Sequence, residues 1–218
     1  MKQSESANSK INQLSFDVKE IEELRSFMND LTGLTSHAWP ELETLFVLRS
    51  YSKNEYFIRQ GDHPVYSGFI LDGVLREFYT DKDGREYNKA FCFKRSLTGS
   101  YYDLSSGNPS TITIQAMTNC KMLIAPYSKI KELINSEVRW LKAAYAWSHH
   151  LLMNKFEKEH QLLTLSARER YLLLQQQHPE LEQLISGHHL ASYLGITSIS
   201  FSRIRAQIKN EFIRLYIS

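Results

Sequence analysis

The chain has 218 residues, 42% apolar and 23% charged, with 9 Gly and 5 Pro. This is an ordinary globular composition, and it excludes a disordered, collagen-like or low-complexity chain. Lys plus Arg (26) against Asp plus Glu (24) leaves a net +2, too little to mark a nucleic-acid or membrane partner by bulk charge, so any such partner must be sought locally.

In chain order, residues 1–15 read as a polar tail (KQSESANSK) without the apolar core of a signal peptide, and nowhere do 18 apolar residues run together. A soluble protein, not exported by the usual route and without a membrane partner, is expected. Phe16, Ile21, Leu24, Phe27, Met28 and Leu31 recur at helical spacing up to Gly33. A second short helix is expected from the N-cap Ser36, with Pro40 in its first turns, to near Phe46.

From Leu45 to Pro126 the chain changes to short β-branched and aromatic runs broken by turn residues. They read as a string of hairpins, with Asp72-Gly73 and Asp81–Gly84 as tight turns. Strand spacing of this kind predicts an antiparallel barrel or sandwich rather than a βαβ sheet. The only cysteines are Cys92 and Cys120, without a CxxC. A zinc module, an iron–sulfur cluster and a disulfide scaffold are therefore not expected, and a reducing, cytoplasmic setting fits. No metal ligand, cofactor or catalytic residue is assigned.

Pro126 closes the β region, and a short helix follows from Tyr127 to Ile134. Ser136 to Leu163 then has no Gly or Pro in 28 residues, which at ~1.5 Å per residue makes a helix of roughly 40 Å. It carries two apolar lines, Trp140, Ala144, Trp147, Leu151 beside Leu141, Tyr145, Leu152, Phe156. Two lines imply two packing partners, one the β domain and one the same helix of a second subunit. The Trp140, Ala144, Trp147, Leu151 line is assigned to the dimer contact, although periodicity alone does not choose between the lines, nor exclude one broad intramolecular stripe. Ser166 caps a further helix that ends at His178-Pro179. Residues 136–218 hold 10 basic and 7 acidic groups, whereas 1–135 hold 16 and 17. The positive excess is C-terminal.

The stretch SGHHLASYLGITSISFSRIRAQI (Ser186–Ile208) has the parts of a helix-turn-helix. Ser186 caps the first helix, Leu190 and Leu194 face inward, Ala191 is the small residue at the crossing, and Gly195 occupies the turn. Phe201, Ile204 and Ile208 form the buried line of the second helix. Its exposed face would then carry Ser198, Ile199, Ser202, Arg203, Ala206 and Lys209, with Arg205 at the flank. Arg can donate two bonds to guanine in the major groove, and Ile can touch a thymine methyl. Ser186, His188 and Ser200 are placed to meet phosphates. Any αα-hairpin with Gly in its turn gives a similar pattern, so a ligand-binding or protein-interaction module with a vestigial helix-turn-helix is the alternative. GxSxG, GxxxxGK[ST] and HExxH are absent, and no enzyme is expected.

The order β domain, long helix, helix-turn-helix resembles the Crp/Fnr family of transcription regulators. Two segments carry the resemblance: Ile58–Tyr87, with Gly61, Gly68, Gly73 and Gly84 at its turns, and Leu190–Ile208, similar to the pattern LGxxxxxxSRIxxxI. It implies an α+β chain divided into a tail (1–15), an antiparallel β-roll of cyclic nucleotide-binding type, jelly-roll-like (16–135), a long dimerisation helix (136–163) and a winged-helix-like helix-turn-helix domain (164–218). The implied protein is a homodimer on double-stranded DNA, with RNA polymerase and a small effector of unidentified chemistry as further partners.

Departures from the family set expectations of their own. Members that respond to cyclic AMP carry a Glu after a Gly for the ribose and an Arg-Ser for the phosphate. Here Gly99-Ser100 and Ser110-Thr111 stand at those places, so the pocket is degenerate and cyclic AMP is not expected as effector. Tyr101, Tyr102, Phe91 and Phe93 could line a site for another, apolar ligand, or fill the roll. On the reading helix Ser198-Ile199 replaces the Arg-Glu of cyclic-AMP-type members and only Arg203 is retained, which predicts a different preferred sequence. The ending KNEFIRLYIS leaves room for one strand at most, a truncated wing.

Overall fold

The computed structural model describes residues 18–33 and 39–217, with side chains as far as Glu211 apart from Trp39. The polar tail, Phe16 and Ser36 lie outside the described residues. Helix α1 (Val18–Thr32) buries Ile21 and Leu24, as its spacing predicts. Helix α2 (Trp39–Glu43) ends earlier than expected. Leu45 and Phe46 donate to the carbonyls three residues back, which tightens the chain into 3₁₀ geometry and turns Phe46 into the core.

Eight strands follow: β1 (Val47–Tyr51), β2 (Tyr56–Ile58), β3 (Tyr66–Asp72), β4 (Leu75–Thr80), β5 (Glu86–Cys92), β6 (Leu97–Thr98), β7 (Thr113–Ala116) and β8 (Cys120–Pro126). They form two antiparallel sheets, ordered β1-β8-β3-β6 and β2-β7-β4-β5. This is the expected roll, but it is not a string of hairpins. Among consecutive strands only β4 and β5 pair. Asp72-Gly73 instead carries the chain from one sheet to the other, whereas Asp81–Gly84 is a true hairpin turn in which the Asp81 carboxylate accepts from the N–H of Asp83 and Arg85, both at 2.9 Å.

The period-two pattern shows why β3 and β8 read as unbroken apolar runs. Met122 and Ile124 face the interior of the roll with Ile70, Leu75 and Ile114. Leu123 and Ala125 face outward, with Phe69 and Leu71, onto α1 and the long helix. Both faces of this sheet are covered.

Helix α3 (Tyr101–Ser106) and strand β6 are additional elements. The C-terminal half is helical: α4 (Tyr127–Ser136), α5 (Val138–Thr164), α6 (Ala167–Gln177), α7 (Leu181–Leu184), α8 (Gly187–Tyr193) and α9 (Ser198–Ile217). The single strand expected in KNEFIRLYIS does not form. No Gly or Pro interrupts 198–217, so nothing stops α9 before its end.

The line of α5 assigned above to the dimer contact instead packs within the chain. Trp140 is 3% exposed, and the Trp147 ring meets Phe27 edge-on at 6.4 Å and Tyr101 at 5.9 Å. Trp140, Ala144 and Trp147 therefore cover the chain's own sheet and α1, and Leu151 stands where that line leaves them. The exposed line is Leu141 (58%), Tyr145 (71%), Leu152 (46%) and Phe156 (54%).

Past α5 the chain folds back, and α8 lies against β5. Phe91 packs on Tyr193 and Phe93 stacks on His178 at 3.8 Å, so Val74, Phe91 and Met117 of the roll share one apolar cluster with Tyr171, Leu190 and Phe201. Polar bonds close the seam. The Asn88 N–H donates to Ser192 Oγ at 3.0 Å and its amide to the His189 carbonyl at 2.8 Å. Arg76, buried on β4, donates to Gln115, to Glu86 at 2.6 Å and to Asn88, and lies 3.3 Å from His189 Nδ1. Burial, then the charges of Arg76 and His188, hold the His189 pKa down to about 4, against a smaller opposing pull from Glu86.

Two outcomes follow from this packing. A Cβ on Gly73 would sit 2.4 Å from the Asn119 carbonyl at a φ of +90°, so Gly73→Ala should cost at least about 2 kcal/mol in urea unfolding. His189 is neutral when docked, while the unfolded chain takes up a proton below about 6.5. The stability advantage of the native chain over His189→Asn is therefore full above that pH and should shrink as pH falls toward 4, measured by denaturation across the window.

Candidate nucleic-acid interface and the degenerate pocket

Helices α8 and α9 form the helix-turn-helix that the sequence predicts, and the local reasons are visible. Ser186 caps α8, its hydroxyl accepting from the His189 N–H at 3.5 Å. Leu190, Ala191 and Leu194 are buried. The turn closes through Gly195 N–H to the Ser192 carbonyl and Ile196 N–H to the Ala191 carbonyl, with Gly195 at φ +70°. Thr197 caps α9 by accepting from the Ser200 N–H at 3.1 Å. Phe201 and Ile208 are buried, Ile204 partly so, and Phe201 meets Tyr171 edge-on at 5.1 Å.

The predicted contact residues fall into three groups. Ser198, Ile199, Ser202, Arg203 and Lys209 are all exposed on α9, and Arg203 and Lys209 have no ion-pair or hydrogen-bond partner among the described residues. Ser186 and His188 lie at the exposed start of α8, with His188 Nδ1 3.4 Å from Ser198 Oγ. The remaining two are engaged elsewhere. Ser200 is half-buried and its hydroxyl accepts from Thr197 at 3.0 Å, and Arg205 pairs with Glu182 at 3.5 Å. That pair is largely solvated and so contributes little.

Sequence reasoning missed the residues that hold this unit in place. Arg170 donates to the Leu165 carbonyl at 2.6 Å and the Leu194 carbonyl at 2.9 Å, tying the end of α5 to the turn before α9. His189 and Ser192 face β5 rather than solvent. An Arg at the fourth position of a capped helix carries no signal of such a role, since its acceptors are carbonyls that only the fold brings together.

At the expected effector pocket Gly99, Ser100 and Ser110 are buried and Thr111 stands at the edge. They meet around a residue not picked out in the sequence, Asp103. Its Oδ2 accepts from the Ser100 hydroxyl at 2.5 Å, the Thr111 N–H at 2.8 Å and the Thr111 hydroxyl at 2.9 Å, and Ser110 Oγ donates to Ser100 Oγ at 2.9 Å. Burial alone would raise the Asp103 carboxyl, but donation from Ser100 and Thr111 holds it below the usual carboxylate value. A second buried carboxylate, Glu77, accepts from Lys89 at 2.6 Å, Thr98 at 3.0 Å and Cys92 Sγ at 3.4 Å. Of the four aromatics near this region, Phe91 and Phe93 pack on Tyr193 and His178 of the C-terminal helices and Tyr102 is 74% exposed.

Among the described residues, no group of three or more His, Cys, Asp or Glu could hold a metal ion, and no helix is long and apolar enough to cross a membrane.

Residues 48–137 match the family model of the cyclic nucleotide-binding domain. No curated protein matches the chain by sequence. Solved structures do match by shape. FixK2 from Bradyrhizobium japonicum superposes with a TM-score of 0.65 at 20% identity, covering 77% of this chain and 86% of its own. The c-di-GMP responsive global regulator CLP of Xanthomonas campestris gives 0.64 at 16% identity, covering 81% and 93%, and a CooA variant from Carboxydothermus hydrogenoformans gives 0.62 at 14%, covering 84% of each. With a cyclic nucleotide-binding domain over 48–137, a long helix and a helix-turn-helix after it, the chain has the fold of the Crp/Fnr regulators.

Proposed function

We propose that the protein is a homodimeric, sequence-specific DNA-binding transcription regulator whose roll does not respond to cyclic AMP. The observation that carries this reading is the exposed face of α9, where Ser198, Ile199, Ser202, Arg203 and Lys209 stand together with no acidic neighbour between 198 and 209. Arg203 is the base-reading residue. Lys209, Ser186, His188 and Arg205 contact phosphates, Arg205 by exchanging its exposed partner Glu182 for the backbone.

A dimer is needed because one short helix reads too few base pairs for specificity, and two helices placed one turn of duplex apart read a near-palindrome. The exposed Leu141, Tyr145, Leu152, Phe156 line of α5 is the subunit contact. In the roll, the Asp103 carboxylate already takes the donors of Ser100 and Thr111. A cyclic phosphate would meet a negative charge where it needs a cation, which argues against cyclic AMP. RNA polymerase is the further partner of such a regulator.

Selection of bound duplexes from a random pool, with no effector added, should enrich a near-palindrome with half-sites about one helical turn apart. Arg203→Ala should lose about 1–3 kcal/mol of preference for that site while keeping weak, salt-sensitive binding, and cyclic AMP should leave both titrations unchanged. No salt-dependent binding to any duplex would point instead to an interaction module with a vestigial helix-turn-helix. Phe156→Glu should convert the dimer to monomers in sedimentation, and an intact dimer would remove this face of α5 from the contact.

A further inference from the structure

The geometry points to a second ligand site, outside the roll: a cleft between the outer face of the first sheet and helices α1, α3, α4 and α5, shaped for a small uncharged aromatic molecule. Its volume is about 200 Å³. Leu24, Phe46, Leu97, Ile130 and Trp147 form much of its wall, and no charged side chain lines it. Burying an ion there would have no compensation, so the ligand is neutral. A dry apolar cavity of about 150 Å³ accommodates benzene. This one has room for a six-membered ring with a small substituent.

The cleft is also made by particular residues. Where α5 crosses it, two methyl side chains, Ala143 and Ala144, stand between Trp140 and Trp147, and a larger side chain at either would fill the space. Interiors are otherwise packed with few voids of this size. Three polar groups among its lining residues, the hydroxyls of Ser67 and Tyr101 and the indole N–H of Trp147, make no hydrogen bond to any described residue. Ser67 is only 4% exposed. Ser105 and Tyr127, by contrast, bond to each other at 3.0 Å. A ligand bearing a hydroxyl would satisfy donors that have no partner among the described residues, with the Tyr101 and Trp147 rings, edge to face with each other at 5.9 Å, forming one aromatic wall beside it.

Occupancy would bear on α5, whose far line is the proposed subunit contact and whose Lys158 bonds the Lys89 carbonyl and lies 4.0 Å from the Tyr193 ring of the reading unit. That coupling rests on the regulator reading. Binding itself does not.

The test is a titration of the full chain with 4-fluorophenol, read by ¹⁹F NMR. Saturable broadening with a Kd of about 1 mM or tighter, the scale expected for so few non-hydrogen atoms, is the supporting result. Ala144→Phe should abolish it with unchanged circular dichroism, and Tyr101→Phe should weaken it roughly five- to tenfold. Should Ala144→Phe not fold, Ser148→Trp on the exposed rim takes its place. An unsaturable signal, or one that survives filling of the cleft, overturns the site. Repeating the titration with the selected duplex separates the two readings: 4-fluorophenol binding without duplex binding leaves the site standing and removes the regulator, and the reverse removes the site alone.

Discussion

Arg76 carries a permanent charge at 4% exposure, and the placement of the helix-turn-helix follows from the partners that charge requires. An unpaired guanidinium in such a position would be strongly destabilising. Gln115 on β7, Glu86 and Asn88 on β5 and His189 on α8 surround it, and the Phe78 ring lies 3.8 Å from it. Two strands and a helix from the far end of the chain are thereby fixed around one side chain. Because Asn88 also binds the His189 carbonyl and the Ser192 hydroxyl, the same few atoms set the orientation of α8, and through the Gly195 turn that of α9.

The second constraint is how α5 divides its surface. One line carries the aromatic bulk that the outer face of the sheet can cover, with Trp140 sealed beside Leu24, Phe69 and Leu123. The other is left to solvent in the single chain. The helix is thus a wall of the roll and, on its opposite side, an exposed apolar ridge, the face proposed above as the subunit contact. Asp103 imposes a similar economy on the pocket. Its carboxylate gathers the hydroxyl of Ser100 and the N–H and hydroxyl of Thr111, tying both ends of the loop around α3 together.

Much of this was legible from the residues alone. The helix-turn-helix was, because its signals are local: Ser186, Ala191, Gly195 and the Phe201/Ile208 line lie within 23 residues and need only helical spacing and one turn. Strand positions were also legible, because period-two runs survive in any sheet. Strand partners were not. Asp72-Gly73 looks like a hairpin turn, and only the long-range pairing of β3 with β8 shows that the chain there changes sheets. The choice between the two lines of α5 was hidden for the same reason, since both are apolar and only the outer face of a sheet assembled from distant segments selects one. Asp103, His189 and Arg170 act through partners 8, 113 and 24 residues away, and no spacing rule reaches across such separations.

The apolar cluster that joins Val74, Phe91 and Met117 of the roll to Leu181, Leu190 and Phe201 has a consequence for folding. The roll has two apolar clusters of its own, but the helix-turn-helix borrows a wall from β5, and β5 borrows its cover from α8. Loss of the shared cluster therefore destabilises both sides of the seam. Cutting the chain near residue 165 exposes fresh apolar surface on both pieces, leaving each less stable than it is in the intact chain.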